Sequence, residues 1–196
     1  MGSSLENKFP EKMVISALDE HLELVVAVRE MTLDITRAAL LIKDALIKGK
    51  KIMICGNGGS AADSQHIAAE LVGRFLKNRA PLPALALNVN TSILSAIGND
   101  FGFEEVYARQ VQAHGCEGDI LLAISTSGTS VNIIRAASIA SDNGIKVIGL
   151  TGKGGGKLKE ICNLCLCVPS DYTPRIQEIH ILIGHIISQL VEEDIC

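Results

Sequence analysis

Cys55-Gly56-Asn57-Gly58-Gly59-Ser60-Ala61-Ala62-Asp63-Ser64-Gln65-His66-Ile67-Ala68-Ala69-Glu70 reads as a strand end, a glycine turn and the opening of a helix. The apolar run at 51–55 has the look of a buried strand. Ser60 and Asp63 have the S-x-x-D spacing of a capping box. Backbone amides in such a turn, backed by the positive end of a helix dipole, suit an anion or the hydroxyls of a sugar. His66 and Glu70 are four residues apart, so both point from one helix face. An imidazole and a carboxylate close to an anion-type turn suggest a phosphorylated small molecule handled by acid–base or metal chemistry.

Four more apolar runs surround this one, at 83–87, 119–125, 145–150 and 164–168. They are short and lack strict alternation, as parallel strands covered on both faces do. Helical patterns lie between them at 60–75, 103–114 and 130–143. The alternation predicts an α/β fold with a five-stranded parallel sheet and helices on both faces. Residues 11–48 add helical spacing before the sheet, with no Pro or Gly until Gly49. Thr173-Pro174 predicts a cap and first-turn proline that open a last helix running to Glu193. These extra N- and C-terminal helices carry more Ile, Leu and Val than five strands can cover, which predicts an oligomer.

The 196 residues fit one domain (1–196) with a full sheet and both helical layers. No apolar run approaches the roughly 18 residues of a membrane span. The polar stretch at 1–10 has no segment fit for a secretory signal. A net charge of −4, with no Trp, two Tyr and four Phe, leaves neither a basic footprint nor a stacking surface, which argues against nucleic acid. A soluble cytoplasmic protein is expected. Of the six cysteines, Cys162, Cys165 and Cys167 lie close together, but no second cluster completes a structural zinc site. The run at 164–168 reads as a buried strand using Cys as a small hydrophobe, and free thiols are expected.

Ligands of an open parallel sheet gather at the carboxyl ends of its strands. Three loops there have special composition. Ser125-Thr126-Ser127-Gly128-Thr129-Ser130 sets five hydroxyls around one glycine between a strand and a helix, a neutral phosphate cradle. Thr151-Gly152-Lys153-Gly154-Gly155-Gly156-Lys157 misses a Walker A loop by one residue of spacing and carries Leu158 where Ser or Thr belongs, so it reads as a turn. Gly56-x-Gly58-x-x-Ala61 fits a dinucleotide fingerprint, but Leu87-Asn88-Val89-Asn90 stands where the ribose-binding acid belongs. On the last helix, His180 and His185 diverge by about 140° and cannot both face one site of the same subunit. Spacing does not choose between them.

Taken together, the glycine turn with its His-x-x-x-Glu helix, Gly98-Asn99-Asp100-Phe101-Gly102, Ile124-Ser125-Thr126-Ser127-Gly128 and Arg175-Ile176-Gln177-Glu178 resemble the phosphoheptose isomerase branch of the sugar isomerase (SIS) domain family. The resemblance runs from the N-terminal helices to Val191 with every motif in order. It implies a flavodoxin-like three-layer fold and an aldose–ketose isomerase that converts sedoheptulose 7-phosphate to D-glycero-D-manno-heptose 7-phosphate through an enediol, for bacterial heptose precursors such as those of lipopolysaccharide. It further implies that Ser125, Thr126, Ser127 and Ser130 hold the phosphate, and that Asn57, Gly58, Gly59, Ser60, Asn99 and Asp100 position the sugar, with Glu70 and Gln177 also on the substrate. By the same match His66, Glu70, Gln177 and His185 form a metal site, usually zinc, partly shared across a homotetramer interface. The match selects His185 over His180, with Glu70 as base and His185 as acid. The chain departs from the pattern at Asn88-Val89-Asn90 beside Asn99, where some relatives carry Thr and Asp, and at Thr129, where many have Asn or Lys.

Two other classes compete. A non-catalytic relative binds the replication initiator and lacks the Glu/His pair at the positions of Glu70 and His185. A regulatory SIS module would carry a DNA-binding domain, for which 196 residues leave no room. Retention of Glu70 and His185 favours the enzyme.

Overall fold

The computed structural model describes residues 8–195, without the side chains of Lys8 and Asp194; most of the polar N-terminal stretch and Cys196 lie outside the described residues. The chain opens with α1 (Lys8–Val28), a 3-10 turn at Arg29–Met31 and α2 (Thr32–Ile47). Then come β1 (Ile52–Gly56), α3 (Gly59–Val72), β2 (Ala84–Ala86) and α4 (Thr91–Phe101). A 3-10 turn at Phe103–Glu105 leads to α5 (Ala108–His114), β3 (Ile120–Ser125), α6 (Val131–Asp142) and β4 (Lys146–Thr151). The chain continues through α7 (Gly156–Ile161), β5 (Leu164–Cys167) and α8 (Thr173–Ile195). The strands form one sheet in the order β2-β1-β3-β4-β5, all pairs parallel. That is the flavodoxin-like order, whose reversal falls between β1 and β3.

Both faces of the sheet are covered, as the continuous apolar strands predict. Ile52, Ile54, Ile120, Leu122, Ile124, Ile148, Leu150 and Leu166 share one core with α2, α3 and α8. Met53, Cys55, Leu121, Ala123 and Val147 face the other way, toward α5, α6 and α7. α8 carries Pro174 in its first turn as expected, although Thr173 is already a helical residue and not its cap, and it packs along both α2 and α3.

Two expectations need correction, and two helices add to those the pattern predicts. The helical pattern at 103–114 is a 3-10 turn followed by the shorter α5, because Gly102 at φ 95° breaks the run and Tyr107 turns inward. Residues 91–101 form α4, with the Asn90 side chain accepting from the Ile93 amide as its cap. The glycine-rich turn after β4 is followed by one short helix, α7. Finally, β5 is not buried throughout: Leu166 and Val168 enter the core, while Cys165 and Cys167 are half-buried on the opposite face of this edge strand.

α1 leaves a stripe of large apolar side chains open. Met13, Leu18, Leu22 and Val26 are each 59–64 % exposed, Phe9 more so, and so is Leu33 at the start of α2. Leu18, Leu22 and Val26 follow one another at four-residue intervals, so they form one continuous ridge. Among the described residues, no helix is long and apolar enough to cross a membrane.

Candidate active site

The sheet order places the ends of β1 and β3 side by side at the reversal, where the chain diverges to opposite faces and leaves a crevice. β1 ends in Gly56, where a β-carbon would lie 2.4 Å from the Ser60 carbonyl oxygen. Only glycine lets the chain fold back so closely. Gly58, at φ 56° and ψ −122°, is the N-cap of α3 and offers no side-chain cap. The expected capping box is therefore absent. α3 begins at Gly59, so Ser60 is already inside its first turn and buried, and its carbonyl accepts from the Ser64 hydroxyl at 2.7 Å. Asp63 does not cap either. Burial pushes its carboxyl up to about 6, partly offset by His66, and its Oδ2 has no hydrogen-bond partner. Two neighbours lock the turn: Asn57 and Asn132 of α6 exchange amide bonds at 2.9 Å, and the Tyr107 hydroxyl donates to the Gly56 carbonyl at 2.6 Å.

The hydroxyl loop follows β3. Ser125 Oγ and Ser130 Oγ are 3.0 Å apart, and Ser127 Oγ accepts from the amide and hydroxyl of Thr129 at 3.2 and 3.0 Å. Its shape is set from behind by the third glycine-rich loop. Gly152 donates to the Thr126 carbonyl at 2.9 Å and Leu158 to the Gly128 carbonyl at 3.0 Å. Gly128, at φ 65°, would carry a β-carbon 2.1 Å from the Gly155 carbonyl oxygen. Gly156, at φ 54°, would place one 2.6 Å from the Gly128 carbonyl oxygen. The two loops pack backbone on backbone, which accounts for the glycines after β4 without any nucleotide. Asn57 of the first turn and Ser130 of the second border one open hollow of about 560 Å³, with Phe103, Glu104, Val131 and Asn132. That is within the usual range for a small-molecule site.

Farther along α3 stands the second cluster. His66 Nε2 is 3.1 Å from Glu70 Oε1 and 2.9 Å from His185 Nε2. Gly184 allows this meeting: a β-carbon there would lie 2.7 Å from Ile67 Cδ1, so α3 and α8 approach closely beside the two imidazoles. The Phe75 ring flanks His185 at 5.7 Å between centroids. Phe75 is held by Glu192 of α8, a buried carboxylate that accepts from the backbone amides of Phe75, Leu76 and Lys77. Burial alone would raise Glu192, but those three amides and Arg79, 3.3 Å away, outweigh it and hold the group below its usual range. Arg79 also donates to the Glu70 and Leu71 carbonyls at 2.8 and 2.9 Å, capping α3 where Glu70 emerges.

The cluster fits a metal. Its three donor atoms lie within 4.8 Å of one another. Tetrahedral zinc with bonds of about 2.0–2.1 Å wants donors about 3.3 Å apart and, in catalytic sites, three protein ligands with a fourth position open. Two imidazole nitrogens at 2.9 Å also cannot both carry protons, so at least one lone pair is available.

The other expected residues fall elsewhere. Gln177 places its amide where a β-carbon on Gly59 would lie, at 2.7 Å, seven residues up α3 from His66 or about 10 Å along the axis. It lines the glycine turn, while among the described residues of one chain the metal-capable group is His66, Glu70 and His185. Asn99 and Asp100 lie at the exposed end of α4, with the Asn99 amide donating to Asp100 at 2.8 Å. His180 is fully buried, 3.1 Å from the Thr151 carbonyl, and burial pushes its imidazole down to about 4 despite that bond. Asn132, Phe75, Arg79 and Glu192 went unnoticed in the sequence. Asn132 could have been found as the polar residue just inside the helix after the hydroxyl loop; the other three have no local signal.

The sheet order, the paired loops and a match of residues 18–152 to the SIS domain family define a SIS domain protein. A phosphoheptose isomerase of Rhodospirillum rubrum is 56% identical over 162 residues, covering 83% of this chain and 86% of that one. The solved phosphoheptose isomerases of Neisseria gonorrhoeae and Francisella tularensis superpose with TM-scores of 0.89 and 0.91 at 40% and 37% identity. They cover 93% and 94% of this chain, and 98% and 99% of their own lengths. The chain belongs to the phosphoheptose isomerase family.

Proposed function

We propose that the protein is an aldose–ketose isomerase that interconverts sedoheptulose 7-phosphate and D-glycero-D-manno-heptose 7-phosphate. The observation that carries this is the meeting of Glu70 with His185 beside His66, on the helix that leaves the glycine turn. Moving the carbonyl from C2 to C1 requires a base to take a proton from C1 and return it to C2 through an enediol. Glu70 is that base: Oε1 faces His66, which leaves Oε2 to hold the proton. His185 moves a proton between the two substrate oxygens. Ser125, Thr126, Ser127 and Ser130 take the phosphate, a role supported by their hydroxyls and by the rigid backing of Gly155 and Gly156. Asn57, Gly58, Gly59, Ser60 and Gln177 hold the sugar at the glycine turn. Asn99 and Asp100 reach the sugar chain from the exposed end of α4.

His66, Glu70 and His185 would hold a divalent cation, with zinc favoured by the donor set and Gln177 of a neighbouring copy as the amide ligand. Bound there, it would supply positive charge where the enediolate develops its negative charge. The test is turnover of sedoheptulose 7-phosphate with and without a chelator. Turnover that vanishes with chelator and returns with Zn²⁺ makes His185 a ligand first; turnover that survives makes it the acid itself. A complete absence of turnover in metal-replete protein overturns the reading. The non-catalytic alternative finds no support, since both residues it lacks are present and in contact with His66.

The exposed ridge on α1 supports assembly with further copies of the chain into a homotetramer that shares its sites. A cytoplasmic enzyme feeding lipopolysaccharide precursors is the setting that fits this substrate. Leu18→Glu with Leu22→Glu is expected to split the assembly in light scattering and to lower turnover with it. A wild-type monomer that is fully active at micromolar concentration would exclude shared sites.

A further inference from the structure

Among the described residues, the isomerase chemistry leaves unused the clustered sulfurs of Cys162, Cys165 and Cys167. They gather at the outer edge of the sheet. Cys165 Sγ lies 3.6 Å from Cys167 Sγ and 3.6 Å from the Thr151 hydroxyl. Cys162, the residue just past the end of α7, hydrogen-bonds to Cys165. Those two sulfurs share the space over Gly149 of β4, where a β-carbon would lie 2.7 Å from Cys162 Sγ and 3.1 Å from Cys165 Sγ. A glycine at that point leaves just the room in which the two can meet. All three cysteines are free thiols of intermediate exposure.

The surroundings favour charge on one sulfur. Hydrogen bonds from Cys162 first, then from Thr151 and Cys167, together with the charge of Lys159, outweigh burial and hold the Cys165 thiol below its ordinary range. The same proximity, with burial, pushes Cys162 and Cys167 up. A thiolate that is partly accessible and has a second thiol in contact is the arrangement of a peroxide-sensitive cysteine pair.

We propose that this cluster is a hydroperoxide-reactive site in which Cys165 attacks the peroxide and Cys162 closes a Cys162–Cys165 disulfide. The Cys165 thiolate attacks the terminal oxygen of the hydroperoxide. The O–O bond breaks, an S–OH group forms, and the departing alkoxide or hydroxide takes a proton from solvent. Cys162 sulfur then attacks Cys165 sulfur. The S–S bond forms, and hydroxide leaves and becomes water with the proton that Cys162 gives up. Two electrons pass from the two thiols to one peroxide. Cys167 is the poorer resolving partner. Two residues apart on an extended strand, its Cα is about 6.4–6.8 Å from that of Cys165, at the upper limit for a disulfide, with the side chains parallel rather than converging. Cys162 stands between α7 and the strand, and its sulfur converges with that of Cys165 over Gly149.

The test treats the full-length protein with a small excess of hydrogen peroxide and maps the products by mass spectrometry. Exposed Cys116 serves as an internal reference within the same molecule. Cys165 is expected to react at least about tenfold faster than Cys116, with the loss of two hydrogens and a Cys162–Cys165 link. Cys162→Ser should instead leave a sulfenic acid on Cys165 that a dimedone-type probe traps, and Cys165→Ser should remove the fast phase. Cys116 reacting as fast as Cys165 overturns the proposal in the wild-type protein alone, without reliance on any variant. A Cys165–Cys167 link overturns the assignment of Cys162.

Discussion

Glu70→Gln is expected to lower isomerisation by at least about a hundredfold, the scale of a general-base contribution. The amide has nearly the same shape, keeps an oxygen to face His66 and leaves α3 undisturbed, since the backbone carbonyl of residue 70 still accepts from Arg79. It has no lone pair basic enough to take the C1 proton. The substrate should therefore still bind, and the melting temperature should stay close to that of the wild type. Exchange of the C1 hydrogen of sedoheptulose 7-phosphate in deuterated water should stop along with turnover, because both need the same proton removal. A rate within a few-fold of wild type would remove Glu70 from the mechanism.

The two histidines of α8 should part in opposite directions. His185→Ala removes a half-exposed imidazole in contact with His66 and Phe75, and turnover should fall by about a hundredfold or more while the fold persists. His180→Ala empties a fully buried site and removes a bond to the Thr151 carbonyl, which keeps the amide of Val168 as its other partner. It should cost about 2–4 kcal/mol of stability, with the activity per folded molecule retained. Acid provides a second readout. His180 in the folded protein titrates near 4, below its ordinary 6.5, so between those values the unfolded chain binds more protons. Its contribution is complete above about 6.5 and is lost as the pH falls toward 4, on the order of 3 kcal/mol. The wild-type stability curve should fall across that window, and His180→Ala should flatten the fall. A larger loss of rate from His180→Ala than from His185→Ala, at equal stability, would put the wrong imidazole at the site.

Much of this was readable from local pattern, and the failures have physical causes. The strands announced themselves because burial on both faces leaves little room for polar residues in 52–56 or 120–125. His66 and Glu70 were readable because four-residue spacing is a property of any helix. The capping box failed because Gly58 and Gly59 let the helix start two residues earlier than the Ser60 hydroxyl suggests. α4 carries a cap at Asn90 and an apolar face at Ile93, Leu94 and Ile97, but with its eleven residues and Gly98 near its end it gives only a short periodic signal. The choice between His180 and His185 rested on resemblance alone. It depends on which face of α8 lies under the end of β4, a relation between segments far apart in the chain. The same holds for Glu192, whose partners at residues 75–77 lie more than a hundred positions away.

That distance has a consequence for how the protein comes into being. His66 and Glu70 are synthesised early, but the imidazole that completes their cluster is 119 residues beyond His66. A ribosome must finish the whole sheet and most of α8 before the three donors can meet. Chains broken off by damaged messages or proteolysis would carry the glycine turn, the hydroxyl loop and two of the donors, yet no closed cluster. The reactive centre is therefore a property of the long chain as a whole: a copy that ends before residue 185 lacks one of its three donors.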